Sequence, residues 1–325
     1  MERDPHFDFQ SFVELERSGA WGRDEGVRYA YSADIKMMRG FSRLRPVELA
    51  AASIVRTSKE WMRAQLLGST VRVGPKQFPS IQKIAEECAK TLTVPTPTIY
   101  IQNSPVPNAF TYGTEHDSFI VITSALIDHF DESELRFVIG HETGHIQNKH
   151  VVYSTVLSVL TQGAGIYLAW LAQPALIALR SWYRRAEITC DRAGLLCNQD
   201  LEAASRSFMK LASGSQKLYG EMNIDAFLDQ FEESQASLGR MGEAFQTHPY
   251  VPKRIHALRV FADSELYRSV NGGDGGLDMD EVDRRTSEII QITKAATPQA
   301  PASLSSEGLL SSEGDGVGGK DHETE

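Results

Sequence analysis

Cysteine is scarce: three in 325 residues, an odd number and too few to staple a chain of this length. A secreted module held together by disulfides is thereby excluded, and unpaired thiols suit a reducing compartment. Cys88, Cys190 and Cys197 form no C-x-x-C pair, so they read as small buried residues and not as a thiolate metal site. Basic residues are also in deficit. Against 43 Asp and Glu stand 33 Lys and Arg, a net charge of −10, which argues against a surface built for nucleic-acid phosphates. The deficit is uneven: residues 271–325 hold 12 acidic and 4 basic side chains, hence −8, leaving the first 270 residues close to neutral. The opening Met-Glu-Arg-Asp-Pro-His lacks the apolar core of a secretory signal, so the expected address is cytoplasmic.

Domain organisation follows from composition. Residues 1–45 are mixed and polar and read as an N-terminal extension. Residues 46–265 carry the motifs of a folded body, and 271–325, rich in glycine and serine, read mostly as a disordered acidic tail with a short helix around 281–293. The acidic cluster near Asp278 lacks the glycine spacing of a calcium loop. Helical patterns are expected from Val47 to Leu67, from Ser80 to Leu92, and repeatedly after Thr123, where Asp131 and Glu134 form a capping-box pattern. Two β-type runs, Thr98–Gln102 and Ser118–Ile122, predict a small sheet. The expected fold class is α+β, predominantly α, with that sheet beside the helix that follows.

That helix carries His141-Glu142-Thr143-Gly144-His145. Side chains four apart lie about 40° apart around a helix, so both imidazoles can approach one zinc ion while Glu142 holds a water and takes its proton. A catalytic zinc needs a third protein ligand and an open fourth position. His150, nine residues past His141, falls about 180° away if the helix continues, which suits a helix-end residue or one that bonds a ligand from outside better than a ligand. The metzincin spacing is excluded, because Asn148 and Val151 stand where glycine and histidine are required. Further on, Glu187 and Asp191 form another i, i+4 pair. Glu187 would complete a His-His-Glu set, and Asp191 could orient a ligand imidazole. With Arg184, Arg185 and Arg192 around them, the pair could equally be an ordinary charged helix face.

These motifs resemble the zinc metallopeptidases that include HtpX and the CAAX prenyl endopeptidases. The resemblance covers His-Glu-x-x-His, the later Glu-x-x-x-Asp, the upstream Asn108-Ala109-Phe110, and Thr247-His248-Pro249 followed by Arg254-Ile255. Alanine usually precedes the Asp of the second helix; here it is Cys190. What the resemblance implies is a zincin-like helical core binding one Zn²⁺ through His141, His145 and Glu187. Glu142 would be the general base and His248 an aid to the oxyanion. Asp191 and Arg254 would bond the ligands from outside, and Asn108, Ala109 and Phe110 would line up an extended peptide. The partner is then a protein or peptide substrate, and the exclusion of nucleic acid rests on these motifs more than on charge. A zinc-holding scaffold with little turnover and a membrane-associated quality-control protease are the competing readings.

Charge is missing altogether from Val151 to Leu179, 29 residues. His145 and Glu187 must meet, so this stretch has to leave and return. Two legs of about 14 residues reach about 21 Å each, short of an apolar bilayer core of about 30 Å. A buried hairpin, a flap or peripheral membrane contact, and an oligomer contact all fit it.

Overall fold

In a computed structural model the chain is described over residues 27–42, 64–114, 117–162, 173–233 and 248–291. All of these belong to one unit, Met1–Thr293; a second, Lys294–Glu325, lies outside the described residues. The helices are α1 (Ser32–Ser42), α2 (Pro79–Thr91), α3 (Ser124–His129), α4 (Glu132–Gln147), α5 (Val151–Gln162) and α6 (Gln173–Asn198), followed by α7 (Leu201–Ser213), α8 (Ile224–Glu233), α9 (Val251–Ala262), α10 (Glu265–Val270) and α11 (Met279–Ile290). The strands are β1 (Thr70–Arg72), β2 (Thr98–Gln102), β3 (Ala109–Gly113) and β4 (Ser118–Thr123). The fold is α+β and predominantly α, with one small sheet. The expected helix from Val47 lies outside the described residues except at its end, 64–69.

The sheet has strand order β1-β2-β4-β3, with β2 and β4 parallel and both outer pairs antiparallel. Its two-residue period sorts side chains to opposite faces. Ile99, Ile120 and Ile122 join the main core under the helices, whereas Tyr100, Phe119 and Val121 pack with Tyr112 and Leu66 in a separate cluster. β3 is an edge strand with no second strand partner among the described residues. Its regular pairing with β4 was not legible in the sequence, because Ala109–Gly113 has too little apolar alternation.

α4 begins with the expected capping box: Asp131 accepts from the Glu134 amide, and Glu134 accepts from the Asp131 amide, each at 2.9 Å. Its other end decides where the next histidine goes. Lys149 sits at φ 59, a left-handed conformation that stops the helix, and α5 starts afresh at Val151. The rotation argued for a continuous helix therefore does not apply to His150, which is turned back toward His145.

α4 and α6 cross at contacts that only glycine permits. A Cβ on Gly144 would lie 2.7 Å from the Ala193 Cβ, and one on Gly140 would lie 2.7 Å from the Cys197 Cβ. From the other side, Gly194 lies against Phe137. This close approach brings the two motif-bearing helices into register. We expect Gly144→Ala to destabilise the fold by about 1–3 kcal/mol through overpacking, read as a lower urea midpoint with an unchanged slope.

Segments at both ends of the described residues pack onto the body. Residues 279–290 form α11, close to the short helix expected around 281–293, and it is packed, with Val282 and Thr286 fully buried. The physical reason is one arginine. Arg192, in α6 beside Asp191, donates to Asp283 Oδ1 at 2.8 Å and to the Tyr29 carbonyl at 3.1 Å. The same Asp283 accepts the Ser32 amide at 2.9 Å, so a buried charge pair ties both ends of the body to the central helix. Residues 27–42 are likewise no loose extension: Met37, Met38 and Phe41 of α1 pack against Tyr153, Leu157 and Trp182.

The described parts of the charge-free stretch are the arms of a helical hairpin, α5 and the start of α6, joined through Tyr153, Val156, Leu157, Leu176 and Leu179. Residues 163–172 lie outside the described residues. No helix among the described residues is long and apolar enough to cross a membrane.

Candidate metal centre

His141, His145 and Glu187 converge, with one ligand atom from each lying within 4.8 Å of the others. His145 Nε2 is 3.4 Å from Glu187 Oε1, and His141 Nε2 is 3.7 Å from Oε2. Ligands on a tetrahedral ion with bonds of about 2.0–2.1 Å stand about 3.3 Å apart, so the separations suit such an ion. The donor chemistry points the same way. Both Glu187 oxygens are buried without an aligned hydrogen-bond donor among the described residues. His248 Nδ1 lies 2.8 Å and Arg254 Nη2 3.1 Å from Oε2, but neither is directed along a hydrogen bond. A buried, unsatisfied carboxylate between two imidazole nitrogens is costly unless a cation completes it.

The outward nitrogens of both histidines are engaged. His141 Nδ1 is 3.0 Å from Asp191 Oδ1, and His145 Nδ1 is 3.2 Å from His150 Nδ1. Arg254 reaches across from α9, its Nε donating to Asp191 Oδ2 at 2.8 Å and its Nη2 to Oδ1 at 2.5 Å. Electrostatics follow this wiring. Burial opposes ionisation of Glu187, but His248, Arg254 and His141 outweigh it and hold its carboxyl well below the usual range. For His141, burial lowers the pKa, yet Glu187 and Asp191 prevail and raise it; for His145 burial wins and lowers it. The two imidazoles are thus biased in opposite directions, with an ionised carboxylate held between them.

Glu142 projects beside this cluster, almost fully buried, and its Oε2 accepts the Thr111 hydroxyl at 2.7 Å. Thr111 lies in β3, which places the sheet edge directly against the motif helix. Ala109 and Phe110 open that same strand, while the Asn108 backbone is spent on Thr123, the carbonyl accepting its amide at 3.0 Å. His248 stands at the rim, its side chain 53% exposed and its ring edge-on to Tyr183. Thr247 lies outside the described residues.

Three residues at the site were not singled out in the sequence. Thr111 follows directly on the Asn108–Phe110 segment, a signal that could have found it. Tyr183, stacked on His145 with ring centroids 5.6 Å apart, is four residues before Glu187 and hence on the same helix face. Asp34, which faces His150, has no local signature at all.

A small sheet laid against a His-Glu-x-x-His helix, with a carboxylate supplied from a second helix, defines a metallopeptidase. The sequence pattern of peptidase family M48 matches residues 75–262, and the chain belongs to that family. It is 32% identical over 235 residues to the plastoglobule-localized metallopeptidase 48, chloroplastic, of Arabidopsis thaliana, covering 69% of this chain and 68% of that one. A protease HtpX homolog of Dictyoglomus turgidum is 26% identical over 218 residues, covering 58% of this chain and 71% of the relative. A second HtpX homolog, from Moorella thermoacetica, is 27% identical over 222 residues, covering 58% and 73%. The protein is a hydrolase of peptide bonds that uses a metal ion. None of the three relatives' names carries the cytoplasmic address expected above, and the first names a chloroplast compartment.

Proposed function

We propose that the metal is zinc and that the protein is an endopeptidase in which Glu142 is the general base. The observation that carries this reading is the buried Glu187 carboxylate, lacking a donor and facing the Nε2 atoms of His141 and His145. A zinc ion on these three ligands supplies Lewis acidity, polarising a water and a peptide carbonyl at its open position. Everything else is done by the chain. Glu142, its carboxylate fixed by Thr111, accepts a proton from the attacking water and delivers it to the leaving amine. His248, partly exposed at the rim, donates toward the oxygen on which negative charge develops. Asp191 and Arg254 hold the ligands in place: Asp191 accepts from His141 Nδ1, so the nitrogen left unprotonated is Nε2. Substrate lies as an added strand along the edge of β3 that no described strand pairs, from Ala109 and Phe110 onward, where backbone bonds give affinity without strict side-chain choice.

Removing the metal tests this. A chelator followed by desalting is expected to abolish cleavage of an unfolded protein substrate, and one equivalent of zinc per chain to restore it. Full cleavage by protein shown to be metal-free would refute the proposal.

A further inference from the structure

The two histidine ligands are supported in different ways. His141 Nδ1 bonds a carboxylate directly, whereas His145 Nδ1 meets a second imidazole, His150, at 3.2 Å. The other nitrogen of His150, Nε2, is 3.0 Å from Asp34 Oδ2. Asp34 is 1% exposed and accepts two further bonds, from Trp182 Nε1 at Oδ1 (2.9 Å) and from the Thr189 hydroxyl at Oδ2 (2.7 Å). Donors converge on it from α6 and from the loop before α5, while Asp34 itself sits in α1.

With His150 uncharged, the directions of these bonds follow by elimination. An ionised carboxylate only accepts, so His150 must donate from Nε2. Neutral His150 then has only a lone pair at Nδ1, so His145 must donate from its own Nδ1. The nitrogen of His145 left without a proton is Nε2, the one that faces Glu187. We propose that Asp34 is a positioning residue of the metal centre, acting through His150 to hold His145 in the tautomer and rotamer that ligate through Nε2. This rests on the zinc reading above. It also assigns a role to a segment outside the family-matched residues 75–262. The helix α1 docks by presenting the carboxylate that the metal centre lacks, so docking and completion of the site are one event. The alternative grouping of His145, His150 and Cys190 as a second metal site conflicts with it, because His150 Nδ1 cannot both accept from His145 and bind an ion.

Asp34→Asn is the discriminating change. Trp182 Nε1 can only donate, which forces the amide oxygen to its side and turns the NH₂ toward His150. His150 Nε2 must then accept, its proton moves to Nδ1, and His145 is driven to carry its proton on Nε2, where it cannot ligate. Zinc affinity of the full chain, read by competition with a chromophoric chelator, is expected to fall about 10–100-fold. The visible spectrum of the cobalt-substituted protein should shift with it. In a His150→Ala background the same Asn substitution should change affinity less than about twofold, since the relay is already cut. An Asp34 that only held α1 in place would lower the thermal midpoint of the metal-free protein and leave affinity unchanged, which would overturn the inference. So would equal losses in both backgrounds, or two zinc ions per chain. Should Asp34→Asn fail to fold, His150→Ala alone decides: a tenfold or greater loss is expected, and an affinity within twofold of wild type refutes it. A wild-type chain that binds no zinc would instead remove the zinc reading on which this depends.

Discussion

Glu142→Gln is expected to reduce kcat for peptide hydrolysis by about 10²–10⁴-fold, the usual contribution of a positioned general base, while zinc content stays at one ion per chain. The substitution is conservative in shape. Thr111 can still donate to the remaining amide oxygen, so the side chain keeps the place it holds through the 2.7 Å bond. What is lost is the ability to take a proton from the attacking water. KM should change little, since nothing that holds substrate has been removed, and the loss should appear in kcat and kcat/KM alike. Metal analysis alongside kinetics separates this from a damaged zinc site. Undiminished turnover with zinc retained would eliminate Glu142 as the base.

Asp283→Ala is expected to cost about 3–5 kcal/mol of stability, the range for removing one partner of a buried ion pair, measured as a drop in the urea midpoint. Arg192 is left in the protein interior with a charge and no carboxylate. It also loses the group that joins α11 to α6, and Ser32 loses the acceptor for its amide. The cost arises from stranding the arginine, not from the pair being strongly favourable in itself. Replacing both residues by apolar ones of similar size, Arg192→Met with Asp283→Leu, should therefore recover much of the loss. If Asp283→Ala alone left the midpoint unmoved, the view that α11 is locked onto α6 would fail.

The gap between the sequence and the folded chain is clearest at three places. The helix of α11 was visible around 281–293 but its docking was not, because acidic, glycine-rich surroundings mask the three side chains that pack it: Val282, Asp283 and Thr286. β3 was hidden because its strand character comes from pairing with β4, whose own apolar run was visible. His150 was legible as a helix-end residue or one that bonds a ligand from outside, but its direction was not, because the rotation holds only for an unbroken helix. A single left-handed residue, Lys149, resets the direction of the chain, and lysine carries no sequence mark for that conformation.

What the sequence determined by itself was local chemistry. The spacing of His141 and His145 fixes them to one helix face, Asp131 with Glu134 fixes where that helix starts, and Glu187 with Asp191 repeats the i, i+4 relation on another helix. Such relations depend only on helical geometry, so they survive any tertiary arrangement. Which groups meet across the chain was decided by packing alone. The glycine contacts between α4 and α6 bring Glu187 to the histidines, the edge of the sheet brings Thr111 to Glu142, and α1 brings Asp34 to His150 from more than a hundred residues away. No periodicity links such residues, because their meeting is set by the shapes of the surfaces between them.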